Sequence, residues 1–247
     1  MKKLKEQKQG IHAITNPKGL LRWCRALICL GLFLINRPGF SQKKYVKSVE
    51  CFGSTNSQSM IFLHGIDRPA KPDAANSSAY KVLKKLANNL GFRLAFPRSN
   101  SHCMQGRKIC WNVSNQVDEL KIIYQEIANK SAGCFPKNSK PIIVGFSNGG
   151  YFLNKLVHHC ILPKNASVIS IGAAGNIRKK ISLAKCASLD LVLGLYESTY
   201  HAGLKYYLKM KSLKANVRIK KFKGGHMVPY DPLYKILNKK FKDSLIQ

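Results

Sequence analysis

The chain alternates between short apolar runs and longer segments whose apolar residues recur at helical spacing. Strands are predicted for the apolar runs, at residues 60–65, 92–97, 140–147, 166–175, 189–197 and 216–224. Helices are predicted for the periodic segments, at residues 77–91, 114–130, 148–162 and 231–246, and HAGLKYYLKMKSL separates the last two strands. Strands that alternate with helices predict an α/β fold with a mostly parallel sheet covered on both faces.

The amino end departs from this alternation. Residues 1–25 carry seven basic residues against one acid, Glu6, and an uncharged apolar run follows from Ala26 to Ile35. The run is too short to span a bilayer, and small residues follow it at Gly39 and Ser41. The pattern predicts a secretory signal or export segment over residues 1–41, with an uncleaved anchor or a buried helix as alternatives. Residues 42–247 are then expected to form a single domain.

The charge is strongly positive, with 42 basic and 11 acidic residues and a net charge of +31. Without residues 1–41 the chain keeps 34 basic and 10 acidic residues, a net charge of +24. Such a surface attracts anionic polymers in a salt-dependent way. The lysines are spread along the chain and no nucleic-acid-binding motif is visible, so non-specific contact is expected and a specific nucleic-acid site is not. Membrane contact is expected only through an uncleaved amino-terminal segment.

Six cysteines follow the amino-terminal segment: Cys51, Cys103, Cys110, Cys134, Cys160 and Cys186. An even number in an exported chain predicts three disulfides, and Cys103 with Cys110 is the simplest local pair. Free buried thiols are the alternative. No cysteine or histidine cluster has zinc-ligand spacing, so no metal site is expected.

A possible nucleophile lies where a predicted strand meets a predicted helix. Gly145-Phe146-Ser147-Asn148-Gly149 matches G-x-S-x-G, a pattern that raises a serine above the sheet on a strained turn. The flanking glycines allow two backbones to pass closely. The alternative is an ordinary strand-to-helix turn in a non-enzymatic α/β protein.

A serine nucleophile needs a base, and the base needs an orienting acid. For this architecture the expected chain order is serine, acid, histidine. Glu197 follows the carboxyl end of a predicted strand, whereas Asp190 begins that strand, so Glu197 is favoured and Asp190 remains the alternative. His226 follows the last strand in the flexible sequence GGHMVP and is favoured as the base over His201.

Backbone amides are expected to hold the oxyanion of the tetrahedral intermediate. Asn148 opens the helix after the serine, where amides are free, and Ile66 follows the His64-Gly65 turn. His64 is interpreted as a support of that turn. Trp111 lies in a loop predicted to be pinned by a disulfide, and either lines the substrate pocket or packs beneath the loop.

The motifs FLHG, GFSNGG, Gly194-Leu195-Tyr196-Glu197 and GGHMVP occur in the order found in the α/β-hydrolase family, which the chain resembles over nearly all of residues 42–247. The export segment, Cys110-Trp111-Asn112 and GFSNGG resemble secreted esterases related to polyhydroxybutyrate depolymerases and feruloyl esterases. The resemblance implies a three-layer fold without a large lid domain, and ester hydrolysis through an acyl-enzyme without a cofactor. The sequence departs from the family in having Glu197 where aspartate is usual, and in lacking a glycine-rich extension after HGID.

The sequence therefore predicts a periplasmic or secreted serine hydrolase that cleaves small or polymeric carboxylic esters. Its catalytic residues would be Ser147, His226 and Glu197. Two alternatives stay open: a catalytically inactive protein of the same fold that binds an anionic polymer in the envelope, and a peptidase.

Overall fold

The computed structural model describes residues 44–54, 58–67, 78–106, 108–177 and 182–244. The segment interpreted as an export signal, residues 1–41, lies outside the described residues.

A seven-stranded sheet forms the centre of the described domain. Its strands are β1 (Val46–Phe52), β2 (Gln58–Leu63), β3 (Phe92–Ser99), β6 (Ile142–Phe146), β7 (Ser167–Ile171), β8 (Ser188–Gly194) and β9 (Val217–Phe222). They lie in the order β1-β3-β2-β6-β7-β8-β9, and all neighbouring strands are parallel except β1, which pairs antiparallel with β3. Two short strands, β4 (His102–Cys103) and β5 (Lys108–Ile109), form a separate hairpin.

Helices cover both faces of the sheet. They are α1 (Ser78–Leu90), α2 (Val117–Ala132), α3 (Asn148–His158), α4 (Tyr200–Ser212) and α5 (Tyr230–Ser244). Successive side chains of a strand point to opposite faces, so Ile61 and Leu63 of β2 join one core cluster while Met60 and Phe62 join the other. The first cluster includes α2, α3 and α4, and the second includes α1 and α5. The result is the three-layer arrangement that the alternation predicts.

Strand β1 is absent from the sequence-based prediction. Its pattern of exposure is irregular, because only Val46 is buried and Lys47 and Ser48 are exposed. An edge strand with one partner needs little apolar surface, and its pairing with β3 is non-local. Hydrophobic periodicity therefore does not reveal it.

Three disulfides connect the six cysteines of the described ranges: Cys51–Cys134, Cys103–Cys110 and Cys160–Cys186. The predicted number and the predicted local pair, Cys103 with Cys110, are confirmed. The bond from Cys51 to Cys134 closes a separation of 83 residues and ties edge strand β1 to the turn after α2. Cross-links of this length restrict the unfolded chain most strongly.

Several strands end earlier than their apolar runs. Strand β6 ends at Phe146, β8 at Gly194 and β9 at Phe222. In each case the chain leaves the sheet at its carboxyl edge and forms a loop there. Within the described ranges, no helix combines the length and apolar character that a bilayer crossing requires.

Candidate active site

Ser147 occupies the turn between β6 and α3. Its backbone has φ 53° and ψ −117°, outside the regions that non-glycine residues favour. The amide of Ser147 donates to the carbonyl of Ile171 on the neighbouring strand, at 2.9 Å. A strained backbone held by such a bond keeps the side chain above the sheet edge, as the G-x-S-x-G pattern predicts.

The two glycines of the motif are needed for close packing of backbones. A Cβ on Gly149 would lie 2.2 Å from the carbonyl oxygen of Leu63, and one on Gly145 would lie 2.5 Å from that of Gly149. The amide of Gly149 also donates to the carbonyl of His64, at 3.1 Å. The turn that carries Ser147 is thereby fixed against the loop after β2.

His226 and Glu197 form a chain of hydrogen bonds with the serine. The Nε2 atom of His226 lies 2.9 Å from the Oγ atom of Ser147, and Nδ1 lies 3.1 Å from Oε2 of Glu197. An ionised carboxylate can only accept, so Nδ1 carries the proton and Nε2 is free to accept from the hydroxyl. This is the tautomer that a general base requires.

The carboxylate of Glu197 is held in place by its surroundings. Its side chain is 1% exposed, and its Oε1 accepts from the amide of Gly194 at 3.2 Å. A Cβ on Gly172 would lie 2.9 Å from Oε2 of Glu197 and 3.0 Å from the ring of His226. Gly172 also has φ +58°, so this position favours glycine on two grounds.

Gly172 and Phe146 are members of the site that the sequence interpretation does not include. The ring of Phe146 packs on the imidazole of His226, with 4.8 Å between the ring centroids. Gly172 ends the apolar run of β7, and Phe146 is the variable position of G-x-S-x-G. In the sequence, the glycine at the end of a central strand is the one sign that position 172 belongs to the site. The sequence does not reveal which side chain lies above this glycine.

The two alternative residues lie elsewhere. Asp190 is near the beginning of β8, at the opposite end of that strand from Glu197, and its carboxylate is paired with Arg218 and Lys240. His201 is exposed on α4, with its ring against that of Tyr200. The structure brings neither side chain to Ser147.

The loop after β2 lies directly beside the serine, since a Cβ on Gly65 would be 3.1 Å from Cβ of Ser147. Buried His64 receives the amide of Ser99 at Nε2, at 3.2 Å, so its Nδ1–H donates to the carbonyl of Gly65, at 2.6 Å. This bond orients the planar peptide whose N–H belongs to Ile66. Burial lowers the pKa of His64, which agrees with a neutral imidazole in this role.

Asn148 holds the disulfide loop against the serine turn. Its side-chain Oδ1 accepts from the amide of Trp111 at 2.6 Å, and its Nδ2 donates to the carbonyl of Trp111 at 3.3 Å. The Asn148 amide is the first of helix α3, a position without an acceptor in the helix. Asn148 thus supplies a backbone amide beside Ser147 and a side-chain clamp on the neighbouring loop.

The sequence leaves two roles open for Trp111, lining a pocket or packing beneath its loop, and its burial decides between them. The residue is 1% exposed and packs between His64 and Phe152, at centroid distances of 5.1 and 6.1 Å. A ring enclosed in this way does not line an open substrate pocket, so the structure gives Trp111 the packing role that the sequence left open. Burial of its large apolar surface stabilises the fold more than exposure of that surface on a pocket wall would.

Metal-ligating side chains do not cluster in the described ranges. Within them, no set of three or more His, Cys, Asp or Glu side chains is placed to hold an ion.

Comparisons with known proteins give structural neighbours alone. Neither family models nor curated protein sequences match the chain. Acyl-protein thioesterase 2 of Zea mays has a TM-score of 0.57 at 17% identity, over 77% of this chain and 97% of that one. A Bacillus cereus carboxylesterase has a TM-score of 0.54 at 15% identity, over 83% and 97%. A carboxylesterase from Mesorhizobium loti has a TM-score of 0.52 at 15% identity, over 75% and 88%.

The chain has an α/β-hydrolase fold. At these identities the likeness concerns the path of the backbone alone. The activity depends on the side chains of this protein.

Proposed function

We propose that the protein is a serine hydrolase that cleaves carboxylic esters through an acyl-enzyme. The observation that carries this proposal is the continuous hydrogen-bond chain from Ser147 through His226 to the buried carboxylate of Glu197. A serine, an imidazole in the accepting tautomer and an orienting carboxylate are the three groups that nucleophilic acyl transfer requires. The esterase and thioesterase names of the structural neighbours agree with this proposal.

In the first half-reaction, Oγ of Ser147 attacks the ester carbonyl carbon while Nε2 of His226 takes the hydroxyl proton. The imidazolium is stabilised by Glu197, which stays ionised. Collapse of the tetrahedral intermediate breaks the bond to the alcohol oxygen, and His226 returns the proton to that oxygen. The acyl group remains on Ser147.

In the second half-reaction, water attacks the acyl carbon and gives a proton to His226, which passes it to Oγ of Ser147 as the acid departs. The amides of Ile66 and Asn148 are proposed to hold the oxyanion in both steps. Two features support this assignment: the loop before Ile66 touches the serine, and the Asn148 amide begins a helix.

Four exposed apolar residues are either a proposed site residue or within two positions of one along the chain. They are Ile66, Leu195, Tyr196 and Met227, and we call them the apolar rim. The loops that carry them are joined, because the amides of Leu195 and Tyr196 donate to the carbonyls of Phe222 and Gly224 at 2.9 and 3.0 Å. Exposed apolar side chains so close in sequence to the exposed imidazole of His226 support esters with apolar acyl or alcohol groups as substrates.

A periplasmic or secreted location is part of the proposal. Three disulfides in one domain are typical of oxidising compartments. A relation to the secreted polyhydroxybutyrate-depolymerase and feruloyl-esterase-like enzymes remains a prediction from the sequence.

The proposal is tested by labelling the wild type with a fluorophosphonate and mapping the modified peptide. We expect the label on Ser147. We also expect Ser147→Ala to lose both the label and hydrolysis of short acyl esters by several orders of magnitude. An active, labelled Ser147→Ala protein would refute the assignment.

A matched pair of histidine variants tests the base. His226→Ala should lower kcat about as strongly as the serine variant, whereas His201→Ala should remain within a few-fold of the wild type. If no ester in a panel of acyl lengths is cleaved and no label is taken up, the non-catalytic alternative is favoured. Turnover of peptide amides above that of esters would favour the peptidase alternative.

A further inference from the structure

A cavity of about 240 Å³ lies at the edge of the sheet opposite to the proposed active site. The residues that line the cavity show where it lies. Asp190 and Arg218 are among them, and both are near the amino ends of the parallel strands β8 and β9. Five lining side chains are cationic and two are anionic. The charged side chains are Arg218, Lys220, Lys235, Lys239, Lys240, Asp190 and Asp243.

One part of the cavity lining is an ion cluster around the buried carboxylate of Asp190. Asp190 accepts from Nε and Nη2 of Arg218 at 2.7 and 2.9 Å, and its Oδ2 lies 2.8 Å from Nζ of Lys240. Both carboxylate oxygens are therefore occupied by cations, and the negative charge of Asp190 is compensated. The Arg218 side chain nonetheless stays 54% exposed, so part of the guanidinium faces the cavity.

Three further lysines converge on the same space from two elements. Lys220 is two residues after Arg218 on β9, which places both side chains on one face of the strand. Lys235 and Lys239 are one turn apart on α5, so they share one face of that helix. All three are exposed.

The lining keeps an excess of three positive charges, because Asp190 and Asp243 offset two of the five cations. Like charges brought together around a concave surface raise the local potential and favour a counter-ion there. Asp243 is the remaining carboxylate, and it is exposed near the end of α5. Its negative charge repels an anionic ligand, so removal of this charge should strengthen anion binding, whereas removal of a lysine should weaken it.

We propose that this cavity binds a tetrahedral oxyanion, a phosphate or a sulfate, either as the free ion or as an ester group on a polymer. Arginine and lysine donors bind such oxygens through short, charge-assisted hydrogen bonds. A water molecule's share of the liquid is about 30 Å³, so the cavity has room for an oxyanion with part of its hydration shell. The site is distinct from Ser147, and the anion is not an ester substrate of that serine.

The first experiment titrates the full chain with inorganic phosphate and with sulfate, using calorimetry, and with acetate for comparison. The cavity variant is Lys220→Gln/Lys235→Gln/Lys239→Gln. The matched control is Lys81→Gln/Lys137→Gln/Lys164→Gln, which removes the same three charges from exposed positions elsewhere. We expect the Kd for phosphate to rise about tenfold for each anion-binding lysine that the cavity variant removes, and to stay within about twofold in the control.

A second variant keeps the test independent of lysine removal. Asp243→Asn should lower the Kd for phosphate, since it removes a negative charge from the lining and raises the positive excess there. Absence of saturable binding of phosphate and sulfate would overturn the proposal, as would an equal weakening of binding in the cavity variant and the control.

The source of the oxyanion is decided by heparin, a polymer with sulfate esters. Elution of the cavity variant from heparin at lower salt than the control indicates that the site holds a group on a polymer. Equal elution of the two, together with a selective loss of phosphate binding, indicates the free ion. Both measurements proceed without ester turnover, so their outcome is separate from that of the proposed hydrolase activity.

Discussion

The substitution Gly149→Ala tests how closely the serine turn packs on the loop beside it. An added Cβ would lie 2.2 Å from the carbonyl oxygen of Leu63, 2.7 Å from that of His64 and 2.7 Å from the carbonyl carbon of Leu63. All three atoms belong to backbone, so no side-chain rotation relieves the contact. Either helix α3 or the loop after β2 must move.

The energetic terms oppose one another. Gly149 is the second residue of α3, and helix propensity alone would favour alanine by about 1 kcal/mol. Overpacking against fixed backbone costs about 3 kcal/mol, the upper end of the usual range. We therefore expect the free energy of unfolding to fall by about 2 kcal/mol. A shift of the loop by about 1 Å should also lower kcat about 100-fold, because the proposed oxyanion donors would move relative to Ser147.

Gly133→Ala is the matched control. Gly133 ends helix α2 with φ −64°, and nothing lies within 4 Å of the position of its Cβ. Alanine there should stabilise the protein by about 0.4–1 kcal/mol and leave kcat unchanged. Urea denaturation and hydrolysis of a short ester measure both variants. A Gly149→Ala protein as stable and as active as the control would refute the packing argument.

Four further substitutions each change a single side chain. Glu197→Gln should lower kcat about 10⁴-fold. Asp190→Asn should lower the free energy of unfolding by about 2 kcal/mol and keep kcat within a few-fold of the wild type. If Asp190 were the triad acid, kinetics and urea denaturation would show the reverse pattern. Asn148→Ala removes both hydrogen bonds to Trp111 and should cost about 1–2 kcal/mol, with a larger effect on kcat than on KM; an unchanged kcat would show that the clamp does not position the loop. Burial lowers the pKa of His64 below its usual value of 6.5. As the pH falls, the unfolded chain therefore takes up the proton before the folded chain does. The neutral imidazole contributes its full stability above pH 6.5, and this contribution is lost as the pH falls below that value. Urea denaturation at several pH values from about 7 to about 5 should therefore show a smaller loss of stability in His64→Asn than in the wild type, and equal losses would contradict this reasoning.

The order of the elements could be predicted from the chain because its signals are local. The apolar runs that became β6, β7 and β8 are bounded by turn residues, and the helices between them show clear periodicity. The motif around Ser147 depends on glycine at two fixed positions, which the sequence displays directly. Position relative to the strand ends was enough to favour Glu197 over Asp190, since carboxyl ends of parallel strands share one edge.

Other features needed the folded chain. The pairing of β1 with β3, the place of Gly172 beneath the His226 ring and the clamp between Asn148 and Trp111 join residues far apart in sequence. Trp111 is the clearest case, because the sequence is equally compatible with an indole ring buried beneath its loop and one exposed on a pocket wall. Only the path of the loop decided between them.

The sequence by itself determined the α/β alternation, the serine turn and the order of serine, acid and histidine, because periodicity and turn chemistry act over a few neighbouring residues. The tertiary structure decided which strands pair, which glycines lie against which side chains, and that five cations from β9 and α5 share one cavity. Those contacts depend on strand register and loop path, which are set by the packing of the whole domain.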